Sequence, residues 1–336
     1  VKSKRAKNSG GNNLIKNYKK EFVFDFDTAP TPSCHASTVL PLDDGTVLAA
    51  WFGGTAEGKD DVVIWVSRRT ENGWEKPIQV SDSDNIPHWN PVLHLRQDGS
   101  ICLYFKVGKK VAVWQTYYSI STDNGKTWTK QQVLVPGEKI DGRGPVKNKC
   151  LRLSNGTLLG PASTEQKRMW RCFIDISEDD GRTWTMSPFI VRPRTTFGVV
   201  GMIQPTLWEG PEGHVHALMR TDKGKIYRSD STNYGRTWCK AYPTSLPNNN
   251  SGIDLVKVPD GRIFLLYNNV ADNWGKRNPL TLAVSTDNGD TWENIMDLET
   301  DDPGEFSYPA ITYKDGSLHM TYTHNRERIA YWKMDI

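Results

Sequence analysis

An all-β fold, a six-bladed β-propeller whose last blade is closed by the N-terminal strand, is what this 336-residue chain predicts. Three observations carry the prediction. The motif STDNGKTW at 121–128 recurs as SEDDGRTW from Ser177, STNYGRTW from Ser231 and STDNGDTW from Ser285, with a worn copy, SRRTENGW, from Ser67. Their first serines lie 54 to 56 residues apart, a period that marks stacked or radial repeats. Glycines at 45, 99, 156, 213, 261 and 316, mostly preceded by Asp, Asn or Glu, interleave with the motif at steps of 48 to 57. Turns of that chemistry join antiparallel strands. Strand-like runs (VVIWVS, TYYSIS, RCFIDIS, LTLAVS) lead into the motif copies. The count is six units of about four short strands each.

Taken in order, residues 1–20 carry seven Lys or Arg and no acid, with a Ser-Gly-Gly-Asn-Asn run, and read as a disordered basic lead-in. Residues 21–336 read as one propeller domain. The segment EFVFDF at 21–26 alternates like a strand, and IAYWKM at 329–334 reads as the third strand of an unfinished sixth blade. The two ends are expected to complete that blade together, which removes an exposed sheet edge. In the repeated motif, Asp123, Asp179, Asn233 and Asp287 are expected to bond backbone amides while the glycine two residues on takes φ > 0. Trp128, Trp184, Trp238 and Trp292 then anchor the turns as buried peripheral residues.

A net charge of +3 is too small to indicate a nucleic-acid partner. No long apolar run suggests a membrane span. The chain starts at Val1, so a leader is taken as already removed; a periplasmic or secreted location is the expectation, with the cytoplasm as the alternative. Five cysteines show neither CxxC nor Cys/His metal spacing, and neither a metal nor another cofactor is expected.

In a propeller the innermost strand of each blade lines the channel, so residues near its start, and those just after the next strand, should converge on one mouth. On this logic blade one offers His35, Trp51, Glu57, Asp60 and Asp61, and blade two Trp89 and Asn90. Blade three offers Lys147 and Glu165, and blade four Gln204, Arg220 and Arg228. Blade five offers Asn250 and Arg277, and blade six Tyr308, Arg326 and Arg328. Converging arginines suit bidentate binding of a carboxylate or sulfate.

On these motifs the chain resembles the bacterial sialidase-like family with Asp-box repeats, six-bladed propellers that cleave terminal acidic sugars. The likeness runs over essentially everything after residue 20. The resemblance implies a substrate carboxylate held by three arginines, an Asp as acid/base, and a Tyr paired with a Glu as nucleophile, an exception to the two-carboxylate scheme. Tyr308, in FSYPAI, looks like the nucleophile, and Arg277 like the third arginine. Glu57, Asp60 and Asp61 compete for the acid/base position, Glu57 standing nearest the expected spacing. Arg220 and Arg228 compete for the second arginine. Where the family has its first arginine, this chain has Cys34-His35-Ala36-Ser37, and Gln204 stands where the tyrosine-polarising Glu belongs.

The resemblance therefore implies an exo-acting glycoside hydrolase that removes a terminal anionic sugar from a glycan, with specificity altered relative to sialidases. Two alternatives stand beside it. A propeller lyase or hydrolase for uronate-linked sugars would use His35 and Tyr308 for proton transfer and Lys147 with arginines for charge neutralisation. A non-catalytic carbohydrate-binding propeller would stack sugars on Trp51 and Trp89.

Overall fold

The computed structural model describes residues 14–138, 140, 142–166 and 169–336. Among these residues six blade sheets stand in a ring, with a separate two-stranded hairpin, Arg194–Thr195 and Gly198–Val199, between blades 3 and 4; innermost strands join blades 4, 5, 6, 1 and 2 in turn, and blade 3 meets blade 4 through its second and third strands. Blade 1 runs outward through Ser33–Pro41, Val47–Gly54 and Val63–Thr70, and blade 2 through His88–Leu95, Ile101–Val107, Gln115–Ser121 and Gln132–Val133. Blade 3 comprises Leu151–Arg152, Leu158–Gln166, Met169–Ser177 and Thr185–Met186; blade 4 comprises Met202–Glu209, Val215–Thr221, Lys225–Ser231 and Tyr242–Pro247. Asp254–Lys257, Ile263–Asn268, Leu280–Ser285 and Glu293–Glu299 make blade 5. Phe306–Lys314, Ser317–His324, Arg328–Asp335 and Asn17–Phe22 make blade 6.

Each of the six hairpin glycines sits between the first and second strand of a blade, at φ between 76° and 94°. The four intact eight-residue motifs sit between third and fourth strands, at the same end of the ring. In the copy at 121–128 the Gly125 amide donates to Ser121 Oγ (2.9 Å), and Thr127 N and Oγ1 donate to the two Asp123 oxygens (2.9 and 2.6 Å). Trp128 Nε1 closes the turn on the Gly125 carbonyl at 3.2 Å. The residue before each motif glycine is left-handed as well: Asn124, Asp180, Tyr234 and Asn288 have φ of 57° to 62°. The glycine itself meets the next blade, since a Cβ on Gly125 would stand 2.7 Å from Leu48 Cδ2. The motif tryptophans are half-buried and not fully buried as expected, because their outer edges face solvent at the perimeter. In blade 1 the worn copy has no such turn. The chain doubles back at Gly73, and the outer edge is split between Gly73–Trp74 and Ile78–Gln79, both paired to Val63–Thr70.

The core lies between blades. Leu48, Phe52, Ile64 and Val66 of blade 1 form one buried cluster with Leu93, Leu103 and Phe105 of blade 2, and Trp51, fully buried against Phe24, belongs to the seam between blades 6 and 1. Trp51 is therefore core and offers no platform to a sugar.

Closure uses the expected partner but a different N-terminal segment. Asn17–Phe22 pairs antiparallel with Arg328–Asp335, from Asn17 opposite Asp335 to Phe22 opposite Ala330. Phe26–Thr28 is a short 3-10 turn, because Asp25 and Thr28 bond one another through backbone and hydroxyl. Of the lead-in expected over 1–20, residues 1–13 lie outside the described residues, and 17–20 are strand. Arg328 does not reach the mouth; its guanidinium lies 3.6 Å from the Phe22 ring and 3.8 Å from the Phe26 ring. No helix among the described residues is long and apolar enough to cross a membrane.

Candidate functional site

At the mouth opposite the glycine hairpins, six left-handed residues form a ring, one per blade: Ala36, Asn90, Lys147, Gln204, Asn250 and Tyr308, with φ from 44° to 64°. In blades 1, 2, 4 and 6 the ladder to the second strand slips at this point. A left-handed non-glycine residue costs about 1–2 kcal/mol, and such strain gathers where side chains must be aimed. Proline follows at Pro91, Pro205 and Pro309, where no amide is available for the ladder. That X-Pro pattern was the local signal for the ring.

Tyr308 stands at the centre. Its hydroxyl accepts from Arg220 Nη1 at 2.6 Å, and the Arg220 and Arg277 guanidinium carbons lie 5.6 and 5.5 Å from its ring centroid. Arg220, 3 % exposed, comes from the end of the second strand of blade 4. It is aimed by Asn250 Oδ1, which accepts from Nε (2.9 Å), and by Gln204 Oε1, which accepts from Nη1 (3.2 Å). Gln204 Nε2 in turn donates to Glu165 Oε1 at 3.4 Å. Burial raises the Glu165 pKa, and the charge of Glu57 adds to this while Arg220 opposes it. Glu165 is thus a carboxyl biased toward its protonated form.

Arg277 Nη1 donates to Glu305 Oε1 (3.0 Å) and Ser307 Oγ (3.4 Å). Burial draws its pKa down, yet a guanidinium stays cationic at neutral pH. Arg326 Nε spans both Glu305 oxygens (3.0 and 3.2 Å), and its Nη1 is paired with Glu57. Arg277, Arg326, Glu305 and Trp274 line an open hollow of about 430 Å³. A neighbouring hollow of about 350 Å³ lies against Trp170, Asn250, Asn273 and the other side of Trp274. A wider hollow, about 970 Å³, is at the rim against Phe22, Phe24, Trp65 and Trp74 and holds none of the converging residues.

His35 joins the site as a neutral wall. Its ring centroid is 4.2 Å from that of Tyr308, and burial, then Arg326, Arg277, Arg220 and Lys147, hold its pKa well below 6.5. A proton-carrying His35 at neutral pH is thereby disfavoured. Asp61 is spent on the loop that follows blade 1's second strand, accepting from Thr55 N at 2.8 Å and from the Thr55 hydroxyl. Asp60 is exposed, 3.8 Å from Lys109.

Four of the expected contacts are corrected. Arg228 lies at the motif end, bonded to Asp230 (2.9 Å), Asp290 (3.0 Å) and His216 (3.0 Å), because the third strand runs away from the mouth. Lys147 points down the channel, donating to Ile253 O (2.8 Å), Asn148 Oδ1 (2.9 Å) and Pro309 O; burial pushes its pKa to about 7, while three oxygens keep it a donor. Trp89 is 8 % exposed, bonded to Gly108 O (3.0 Å) and packed against Phe52 and Trp114 beneath Gly58, so it supports the Glu57 loop. Asn90 shares the ring but is buried in blade 2 without a side-chain hydrogen bond among the described residues. Glu305, Trp170 and Trp274 went unread in the sequence: Glu305 and Trp274 sit on connections without periodic pattern, and Trp170 lies at the start of Met169–Ser177, ahead of the run that reads as strand. Among the described residues no group of three or more His, Cys, Asp or Glu is placed to hold a metal.

Residues 45–320 match the BNR repeat-like domain family. The chain belongs to that family. Among curated proteins, this BNR repeat-like chain is 25% identical to a sialidase of Bacteroides fragilis (strain YCH46), over 84% of this chain and 52% of the relative, so it spans about half of that protein's length. Among solved structures it is similar to a Hadza microbial sialidase, with TM-score 0.79 and 18% identity, covering 94% of this chain and 68% of the other. It is similar also to a protein of unknown function from Dyadobacter fermentans DSM 18053, with TM-score 0.77 and 16% identity, covering 97% and 100%. At these identities the solved structures establish a shared propeller fold.

Proposed function

We propose that this BNR repeat-like propeller is an exo-acting glycosidase that removes a terminal sugar bearing a carboxylate. The observation that carries the reading is the placement of Arg220 and Arg277 against the two sides of a site centred on Tyr308. Guanidinium groups bind carboxylates in bidentate geometry, and here one of them, Arg220, also donates to the phenol oxygen. The phenol proton leaves to solvent through the open mouth, because Gln204 cannot accept it. As the Tyr308 oxygen bonds to the anomeric carbon, the bond to the departing alcohol breaks and Glu165 gives that oxygen its proton. Water, deprotonated by the Glu165 carboxylate, then displaces Tyr308 and restores both groups. Asn250 and Gln204 act as positioning residues for Arg220.

The test is product analysis, by mass spectrometry and ultraviolet absorbance in parallel, on sialosides, uronate-capped oligosaccharides and neutral glycosides. A released acidic monosaccharide without new absorbance supports the reading, and loss of that release in Tyr308→Phe ties it to this site. A second reading, elimination from a uronate with Tyr308 as base, is favoured by the fact that, among the described residues, the one side-chain hydrogen bond to the phenol comes from a cation. An unsaturated, ultraviolet-absorbing product would establish that chemistry instead. Binding without any product would leave a carbohydrate-binding module.

A further inference from the structure

Arg326 sits on the turn between the second and third strands of blade 6, next to Asn325, and both residues are left-handed (φ 57° and 54°). The turn is pinned from two sides. Asn325 N donates to Glu305 O (2.8 Å) and Glu305 N to Asn325 Oδ1 (2.9 Å), while Cys34 N donates to the Arg326 carbonyl (2.8 Å). Two consecutive strained residues thus hold the Arg326 side chain over the start of blade 1, beside His35. His35 is neutral there, so Arg326 supplies the positive charge on that side.

One carboxylate, Glu305, holds both Arg326 and Arg277 by one edge. Nη2 of each has no hydrogen bond among the described residues, and both residues line the hollow of about 430 Å³. Two guanidinium groups against a single fixed carboxylate leave a net positive charge facing an open space. The remaining partner, Glu57, is an exposed rim side chain, and rim ion pairs are held loosely. We infer that Arg326 is the outer half of the anion clamp: the substrate carboxylate bridges Arg277 and Arg326 and takes the place of Glu57 on Arg326. This rests on the reading of the site as one for an acidic sugar and adds the residue that selects the acid.

The experiment measures binding to the full chain by calorimetry, using the methyl glycosides of N-acetylneuraminic acid and glucuronic acid, each as the acid and as its primary carboxamide. The unmodified protein should prefer one acid over its carboxamide by about tenfold to a hundredfold, the scale of one charge-assisted contact. Arg326→Gln should erase most of that preference while leaving carboxamide affinity unchanged, and Arg326→Lys should keep part of it. Glu57→Gln, which removes the competitor, should tighten binding of the acid about two- to tenfold. If Arg277→Gln loses the preference while Arg326→Gln retains it, or if Glu57→Gln weakens the acid, the inference is overturned and the proposed function stands. If the unmodified protein shows no preference for either acid, both fall.

Discussion

Tyr308, Glu165 and Gln204 divide the work by what each can do with a proton. Tyr308→Phe should lower turnover about 10³-fold or more with little change in substrate affinity, measured as kcat against KM. Glu165→Gln should slow release of alkyl alcohols about 10²- to 10⁴-fold but spare aryl glycosides, whose phenolate leaves without help. Equal losses on both substrates would remove Glu165 from the acid role. Gln204→Glu would set a second carboxylate against Glu165, now 3.4 Å from the amide. Like charges raise one of the two pKa values, so the acid form persists to higher pH and the alkaline limb of kcat should move upward. A downward movement in the pH profile would contradict the shared-proton arrangement.

The repeated turn is an element of stability and stands at the far end from the mouth. Hydrogen bonds from the Thr127 hydroxyl and amide hold Asp123 down to about 2, so the turn keeps its ionised form through the whole working range of pH. Trp128 is half-buried against the cluster between blades 1 and 2. Trp128→Ala should therefore cost less than a full core ring, about 2 kcal/mol, and lower the melting temperature with kcat unchanged. An unaltered melting temperature with lost turnover would place the motif in the chemistry. Gly125→Ala adds strain at φ 81° and a contact with Leu48, so it should destabilise in the same assay.

At the scale of the whole ring, four histidines are buried in neutral form. Burial takes His88, His94 and His319 to about 4 and His35 well below 6.5. Each has a folded pKa below its unfolded one, so the unfolded chain binds more protons as pH falls below about 6.5. Stability is full above that value and declines as pH drops toward 4, each histidine contributing up to about 1.4 kcal/mol per pH unit. Denaturant melts from pH 7 to 4 should show this slope, and His88→Asn should reduce it by one histidine's share. A flat profile would mean that these histidines protonate without unfolding the ring. The ring also depends on its clasp: removing residues through Phe22 would expose the edge of Arg328–Asp335, and light scattering should report association through that edge.

The six hairpin glycines and the Ser-Asp-Gly-Trp turns were legible because every bond that makes them is closed within about eight residues, and the period counts them without knowledge of the rest. The placement of Tyr308, Arg220, Arg277 and Gln204 at one mouth was legible too, since three lie near a strand end whose direction follows from the hairpin before it and Arg277 lies on the connection that leads into Leu280–Ser285. Direction along a third strand was not, and so Arg228, eight residues after Arg220, faces the opposite end of the ring. The clasp strand was hidden for a different reason. It lies at the outer edge, where the Lys20 ammonium stands 6.0 Å from the Trp332 ring centroid and pairs with Glu299, so a lysine-rich segment that alternates weakly looks like a solvated tail. What tertiary structure alone decided is the pairing at the mouth, with Glu305 bonded to both Arg277 and Arg326, and Arg326 bonded to Glu57. These residues come from the first, fifth and last blades, and which polar atoms pair depends on how the closed ring sets the first blade against the last, which no local pattern records.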